Sequence, residues 1–185
     1  EDLYELAQDL GVPYFIGEVL NDSAIVFEAA GEYDLAISSH QEVIKTIGES
    51  DFTSQILSRI YATLGDGQRA LDEINQYVDK TGISDLPPWL LRRARALTML
   101  NRVEEAERDL DTIHGQILKT GSDFYFANYY HVSGLIELAR GDYLSASVIL
   151  EKCWELTEGI PRVLDQNYVL LDLARVELLL AREST

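Results

Sequence analysis

The side chains with the widest chemical repertoire are few and scattered in this 185-residue chain. His40, His114 and His131 are its histidines and Cys153 its single cysteine. A zinc site draws three or four such ligands from short, recurring spacings, and none of these four residues has a Cys or His partner at ligand spacing. Carboxylates are abundant, 32 against 15 Lys and Arg, for a net charge of −17. In so acidic a chain an adjacent pair such as Glu104-Glu105 carries no information about general acid–base catalysis. Ser, Lys and Cys stand in no nucleophile motif. Gly65-x-Gly67-x-x-Ala70 has the spacing of a dinucleotide-binding loop, but that chemistry needs a preceding strand to present backbone amides to a pyrophosphate. Here an apolar helical pattern precedes it. The sequon Asn21-Asp22-Ser23 falls inside a predicted helix and is read as idle. The residues nominate no catalytic group, no cofactor and no metal, and the expected role is to hold other molecules rather than to transform them.

Composition narrows those molecules. Phosphate contacts need a basic face and anionic lipid surfaces attract basic segments, so neither direct nucleic-acid binding nor membrane binding is expected. A lone cysteine makes no internal disulfide, which fits a reducing, cytoplasmic setting. No apolar run reaches the length of about 18 residues that a membrane span requires. The chain opens on Glu1 rather than methionine, and the expectation is a segment of a longer protein.

Four short segments position everything else. Gly31-Glu32-Tyr33-Asp34-Leu35-Ala36, Gly65-Asp66-Gly67-Gln68-Arg69-Ala70, Asn101-Arg102-Val103-Glu104-Glu105-Ala106 and Gly141-Asp142-Tyr143-Leu144-Ser145-Ala146 line up on sight, their closing alanines 34, 36 and 40 residues apart. Gly or Asn in first place can adopt the left-handed conformation that ends a helix. Acidic residues just after it fall in the first turn of the next helix, where the macrodipole favours negative charge. The alanine permits close helix approach, and so short a turn makes its two helices antiparallel.

Apolar residues recur at helical spacing behind each turn: Ala36, His40, Val43, Ile44 and Ile47, then Ala70, Ile74, Tyr77 and Val78, then Ala106, Leu110, Ile113 and Ile117, then Ala146, Ile149, Leu150, Cys153 and Trp154. Pro13, Pro87, Pro88 and Pro161 each fall near a predicted helix start, where proline is tolerated. The pattern predicts an incoming helix over 2–10, helix pairs over 13–30 with 32–47, 50–64 with 66–81, 86–100 with 102–119 and 122–140 with 142–158, and a last helix over 161–182. No strand or linker is predicted. Residues 1–185 form a single array, in which stacking of pairs supplies one continuous core.

These four registers resemble the tetratricopeptide repeat family along essentially the whole chain. The resemblance implies an all-α fold, an α-solenoid of antiparallel helix pairs wound into a right-handed superhelix. Its repeats would begin at Gly17, Asp51, Pro87, Ala127 and, incompletely, Asn167. The small eighth position is Ala24, Ser58, Ala94, Gly134 and Ala174. The bulky eleventh is Phe27, Tyr61 and Leu97, with departures at Glu137 and Glu177. The twentieth is the turn alanine, and the twenty-fourth is His40, Ile74, Leu110 and Leu150. Repeat lengths up to 40 are similar to the extended repeats of bacterial NTPase-linked regulators.

The resemblance also implies where a partner would lie. First helices of such repeats line a concave groove, with the second, fifth, ninth, twelfth and thirteenth positions facing the partner. The ninth position is Ile25, Arg59, Arg95, Leu135 and Arg175, which gathers three of the eleven arginines. Neighbouring groove positions are Asn21, Gln55, Leu91, Asn128, His131, Tyr168 and Leu171. Guanidinium groups grip carboxylates in a bidentate fork. The expected function is therefore a protein-binding scaffold whose groove takes a protein or peptide segment with acidic groups. The competing account pairs each arginine with a glutamate of an adjacent helix, such as Glu28. A second function class is a ligand- or peptide-sensing regulatory domain, for which Phe124, Tyr125, Phe126, Tyr129 and Tyr130 would line a pocket; their other use is packing between repeats. His40 is expected to be a core or half-buried residue rather than a ligand, and His131 to lie on a solvent-facing first-helix face. The last helix, apolar nearly all round, predicts either further repeats or self-association through that end.

Overall fold

The computed structural model describes residues 3–48, 50–82, 86–157 and 163–183. Among them are ten helices and no strand: α1 (Leu3–Leu10), α2 (Pro13–Ala29), α3 (Tyr33–Ile47), α4 (Asp51–Thr63), α5 (Gly67–Thr81), α6 (Pro87–Met99), α7 (Val103–Thr120), α8 (Asp123–Arg140), α9 (Tyr143–Thr157) and α10 (Val163–Glu183). Every predicted helix is present within two residues of its expected bounds. The helices form two compact units, Glu1–Thr81 with α1–α5 and Gly82–Thr185 with α6–α10. None of the helices is long and apolar enough to cross a membrane, among the described residues.

The four repeated turns share one hydrogen-bond scheme. Gly31, Gly65 and Gly141 have φ of 79°, 80° and 82°, and Asn101, at 57°, is the positive-φ non-glycine residue among those described. At each turn the amide after the left-handed residue donates back to the carbonyl five residues earlier: Glu32 to Phe27, Asp66 to Tyr61, Arg102 to Leu97 and Asp142 to Glu137, at 2.8–3.0 Å. The left-handed residue itself donates to Glu28, Ala62, Thr98 or Leu138. This double closure satisfies carbonyls that a helix end leaves without partners. It explains why Gly or Asn heads each segment, since other side chains resist that conformation.

The residue after the left-handed position starts the next helix. Asp66 and Asp142 accept a hydrogen bond from the backbone N–H of Arg69 (2.9 Å) and Ser145 (3.0 Å), which is the capping use of a carboxylate at a helix start. The expected dipole role of these acids is therefore joined by a direct bond. Pro13 sits in the first turn of α2, and Pro87 and Pro88 in that of α6; Pro161 lies outside the described residues.

Ala36, Ala70, Ala106 and Ala146 are all buried, as the close-approach argument requires. The two helices of a pair run antiparallel, because Gly17 at the start of α2 faces Ile47 at the end of α3. A Cβ at Gly17 would come within 2.6 Å of Ile47 Cδ1, and one at Gly134 within 2.6 Å of Leu150 Cγ. In the fourth repeat the eighth and twenty-fourth positions therefore meet, a small residue opposite a large one. All four complete repeats bury both positions: Ala24, Ser58, Ala94 and Gly134 at the eighth, and His40, Ile74, Leu110 and Leu150 at the twenty-fourth. Ala174, the corresponding residue of the incomplete last repeat, is exposed.

Within residues 1–81, α2 packs on α3, α4 on α5, and α3 on α4, with Ala36, Ile56 and Ile60 at the centre and Phe27, Tyr33 and Ile37 around them. Within residues 82–185, α8 packs on α6, α7 and α9, and α10 on α9. Ala146, Leu150, Leu138 and Val176 form one core cluster there, and Ala127, Cys153 and Val169 another. Burying the larger aliphatic side chains among these stabilises each by about 1.5–3 kcal/mol relative to exposure.

Candidate functional site

In the first unit the expected groove residues lie on α2 and α4. Asn21 and Gln55 are half-buried. Arg59 donates from Nη2 to Oε2 of Glu28 at 2.7 Å, and Glu28 is buried on the facing helix. The arginine joins α2 to α4, which is the stacking account and the very partner it named. His40 lies in the core as expected, fully buried, but neither ring nitrogen has a hydrogen-bond partner among the described residues, nor does the buried Oδ1 of Asn21. Burial, and then the positive charge of Arg59, push the His40 pKa from 6.5 down to about 4. The imidazole is therefore neutral near neutral pH.

In the second unit, the expected groove residues come from α6, α8 and α10. Two of them are placed differently from expectation. His131 is buried rather than solvent-facing, and its Nε2 lies 2.8 Å from Oδ2 of Asp172 on α10. Leu91 is buried at 5 % exposure, because α6 carries apolar residues on more of its circumference than a single stripe. The Arg95 guanidinium lies over the Tyr168 ring, 5.3 Å from its centre, a cation–π contact that links α6 to α10. Asn128 donates to the carbonyl of Phe124 at 2.8 Å, which occupies one of its amide hydrogens.

Arg175 is exposed. With Tyr168, Leu171 and Leu178 it forms a stripe along α10 at spacings of three, four and three residues, the repeat of one helix face. Leu171 is 66 % and Leu178 is 64 % exposed. This stripe coincides with the second, fifth, ninth and twelfth positions of the last repeat.

The aromatic run of α8 is engaged on both sides of that helix. Tyr129 contacts His114 of α7 with ring centres 5.4 Å apart, Phe126 stacks on Tyr130, and Lys152 of α9 lies over the Tyr130 ring at 4.3 Å. Tyr130 also packs beside Ala127, Cys153 and Val169. Cys153 is buried and its thiol donates to the Ala127 carbonyl. Among the described residues no three His, Cys, Asp or Glu side chains form a cluster suited to a metal ion. Gly65 and Gly67 lie at the α4–α5 turn, with a helix on the side where a dinucleotide loop has its strand.

Two polar links escaped the sequence. Asp172 stands one position away from the groove register, 41 residues from His131, and no local pattern ties them. Arg93 donates from Nε and Nη2 to both oxygens of the buried Asp109 at 2.8 and 2.6 Å. Both residues sit on faces that a helical-wheel reading assigns to the interior, which was the available signal.

No family model matches the sequence, and no curated protein matches it. Among solved structures, the chain is similar to a tetratricopeptide repeat protein from Parabacteroides merdae ATCC 43184, with 18 % identity and a TM-score of 0.58 over 90 % of this chain. It spans 64 % of that protein's chain. It is similar to BtubC (BKLC) from P. vanneervenii, with 17 % identity and a TM-score of 0.62 over 97 % of this chain and 80 % of the other. It is also similar to MamA 41-end from Desulfovibrio magneticus RS-1, with 14 % identity and a TM-score of 0.55 over 91 % and 97 %. Identities this low establish architecture and leave activity open. With one hydrogen-bond scheme at its four turns and four buried turn alanines, the chain has the tetratricopeptide-repeat fold, all-α and built of antiparallel helix pairs.

Proposed function

We propose that the chain is a protein-binding scaffold that takes a partner segment on the first-helix face of its second unit, along Tyr168, Leu171, Arg175 and Leu178. The observation that carries this reading is the pair of exposed leucines with an exposed arginine between them on one helix face. Large apolar side chains aligned on a surface mark contact sites, and an arginine at the centre selects a carboxylate by forked hydrogen bonds. The partner is accordingly a segment with apolar residues spaced around an Asp or Glu. Arg59 is paired with Glu28 and Arg95 is seated on Tyr168, so Arg175 is the arginine of the three that is offered to such a partner. The sensor alternative is disfavoured by Tyr129 and Tyr130, which are taken up by contacts with His114 of α7 and Lys152 of α9.

The test is selection of displayed random peptides on the purified chain. Peptides enriched should pair apolar residues with a central acid. Arg175→Glu and Leu171→Asp should each weaken their binding about tenfold or more with an unchanged far-ultraviolet spectrum. Peptides that bind both variants as well as the parent chain would overturn the reading.

A further inference from the structure

A second surface, in the first unit and of opposite electrostatic character, has a partner class of its own. Residues 1–44 contain ten carboxylates and neither Lys nor Arg, and the first basic residue is Lys45. Across the α1–α2 turn, every residue from Leu10 to Phe15 is exposed. Leu10 is 59 % and Tyr14 60 % exposed, and the Tyr14 and Phe15 rings meet edge to face with centres 6.2 Å apart. Leu6 extends the patch back along α1, four residues before Leu10. Exposed carboxylates flank it: Glu5 and Asp9 on α1, Glu18 and Asp22 on α2. Ile25 and Val26, also exposed, continue the same side of α2, so that Glu18 and Asp22 lie between two apolar ends.

An apolar patch of this kind marks an interaction site, and its four flanking carboxylates determine what can approach it. A second copy of the chain that meets it through the same face brings the same acidic surface and is repelled. An anionic membrane is repelled for the same reason. A neutral apolar segment gains nothing from the carboxylates and must still desolvate them at a cost. We propose that the α1–α2 face docks a basic amphipathic protein segment, one whose aliphatic or aromatic residues cover Leu10, Tyr14 and Phe15 while its Lys or Arg side chains meet Glu5, Asp9, Glu18 and Asp22. This is a different surface from the α10 stripe, and it selects the opposite charge.

The test measures binding of three synthetic peptides to the whole chain by fluorescence anisotropy. They are a lysine-rich amphipathic helix, the same composition scrambled to destroy its apolar face, and the amphipathic helix with every lysine replaced by glutamate. The amphipathic basic peptide should bind at least about tenfold more tightly than either control, and added salt should weaken it. Tyr14→Ser with Phe15→Ser, and separately Glu18→Lys with Asp22→Lys, should each remove about tenfold in affinity. Glu151→Lys with Glu155→Lys on α9, which changes the net charge equally, should not. All these side chains are exposed, so the variants keep the fold, and Arg175→Glu should leave this binding unchanged. Equal binding of the scrambled peptide, or equal loss with the α9 variant, would reduce the effect to bulk charge and overturn the proposal. A chain that dimerises, and becomes monomeric on Tyr14→Ser with Phe15→Ser, would assign the patch to a second copy and overturn it equally.

Discussion

The two units are built on the same turn but filled differently. Residues 1–81 and 82–185 carry 16 carboxylates each, yet the first has 4 Lys and Arg and the second 11. At the twenty-fourth position the first repeat buries His40 where the others bury Ile74, Leu110 and Leu150. The second unit ties Asp109 with two hydrogen bonds from Arg93 and pairs His131 with Asp172. The first leaves both nitrogens of His40 without partners among the described residues. The turn and its alanine are indifferent to these choices, because they need only a small residue at one contact and a left-handed residue at the other. Polar content is thus free to set the pH response and surface charge of each unit without altering its backbone.

The largest expected expression of this difference is acid sensitivity. Above pH 6.5 His40 is neutral in folded and unfolded chains and contributes no pH dependence. As pH falls from 6.5 towards about 4, the unfolded chain binds a proton that the folded chain refuses, so stability is lost across that window and levels off below it. Because a tenfold change in proton affinity corresponds to about 1.4 kcal/mol, the whole loss is on the order of 3 kcal/mol. His40→Leu should abolish this component and stabilise the first unit near neutral pH, read by hydrogen exchange of α3 amides across the window. Parallel pH profiles for parent and variant would break the contrast between units.

Next in size is the feature the units share. Ala70→Leu in the first unit and Ala146→Leu in the second should each cost about 1–3 kcal/mol by overpacking, seen as lowered thermal midpoints. Glu105→Leu, on an exposed face, should leave the midpoint unchanged. A tolerated leucine at either alanine would show that close approach is not common to both.

Buried ion pairs should sort more finely. Asp109→Asn and Glu28→Gln each weaken a charge-assisted contact on a part-buried arginine, at a cost of about 1–3 kcal/mol. The doubly bonded Asp109 should show the larger loss in urea unfolding. The exposed Arg102–Glu105 pair gives the smallest effect, and Glu105→Gln should not move the midpoint measurably.

Much of the fold was legible because its determinants are local. Gly31, Gly65, Asn101 and Gly141 announce themselves by type, and the alanine five residues later by spacing. Helix bounds follow from these within two residues. The surface was less legible because it depends on helix rotation and on partners distant in sequence. The groove register placed Leu91 and His131 where a partner would touch them, but a fixed offset says nothing of the wide apolar face of α6 or of Asp172 on α10. Arg59 shows the reverse case: Glu28 stands at the position where a neighbouring helix could reach it, so the pairing could be named beforehand. That His40 would be buried followed from its register, whereas its lack of partners required coordinates.

The most direct test of partner binding on α10 is a two-dimensional amide NMR titration of the 185-residue chain with an acidic peptide selected as above. Resonances of Tyr168, Leu171, Arg175 and Leu178 should shift in a saturable manner, and Arg175→Glu should suppress those shifts. Shifts confined to α2 or to the outer faces of α7 and α9, with α10 silent, would contradict the assignment.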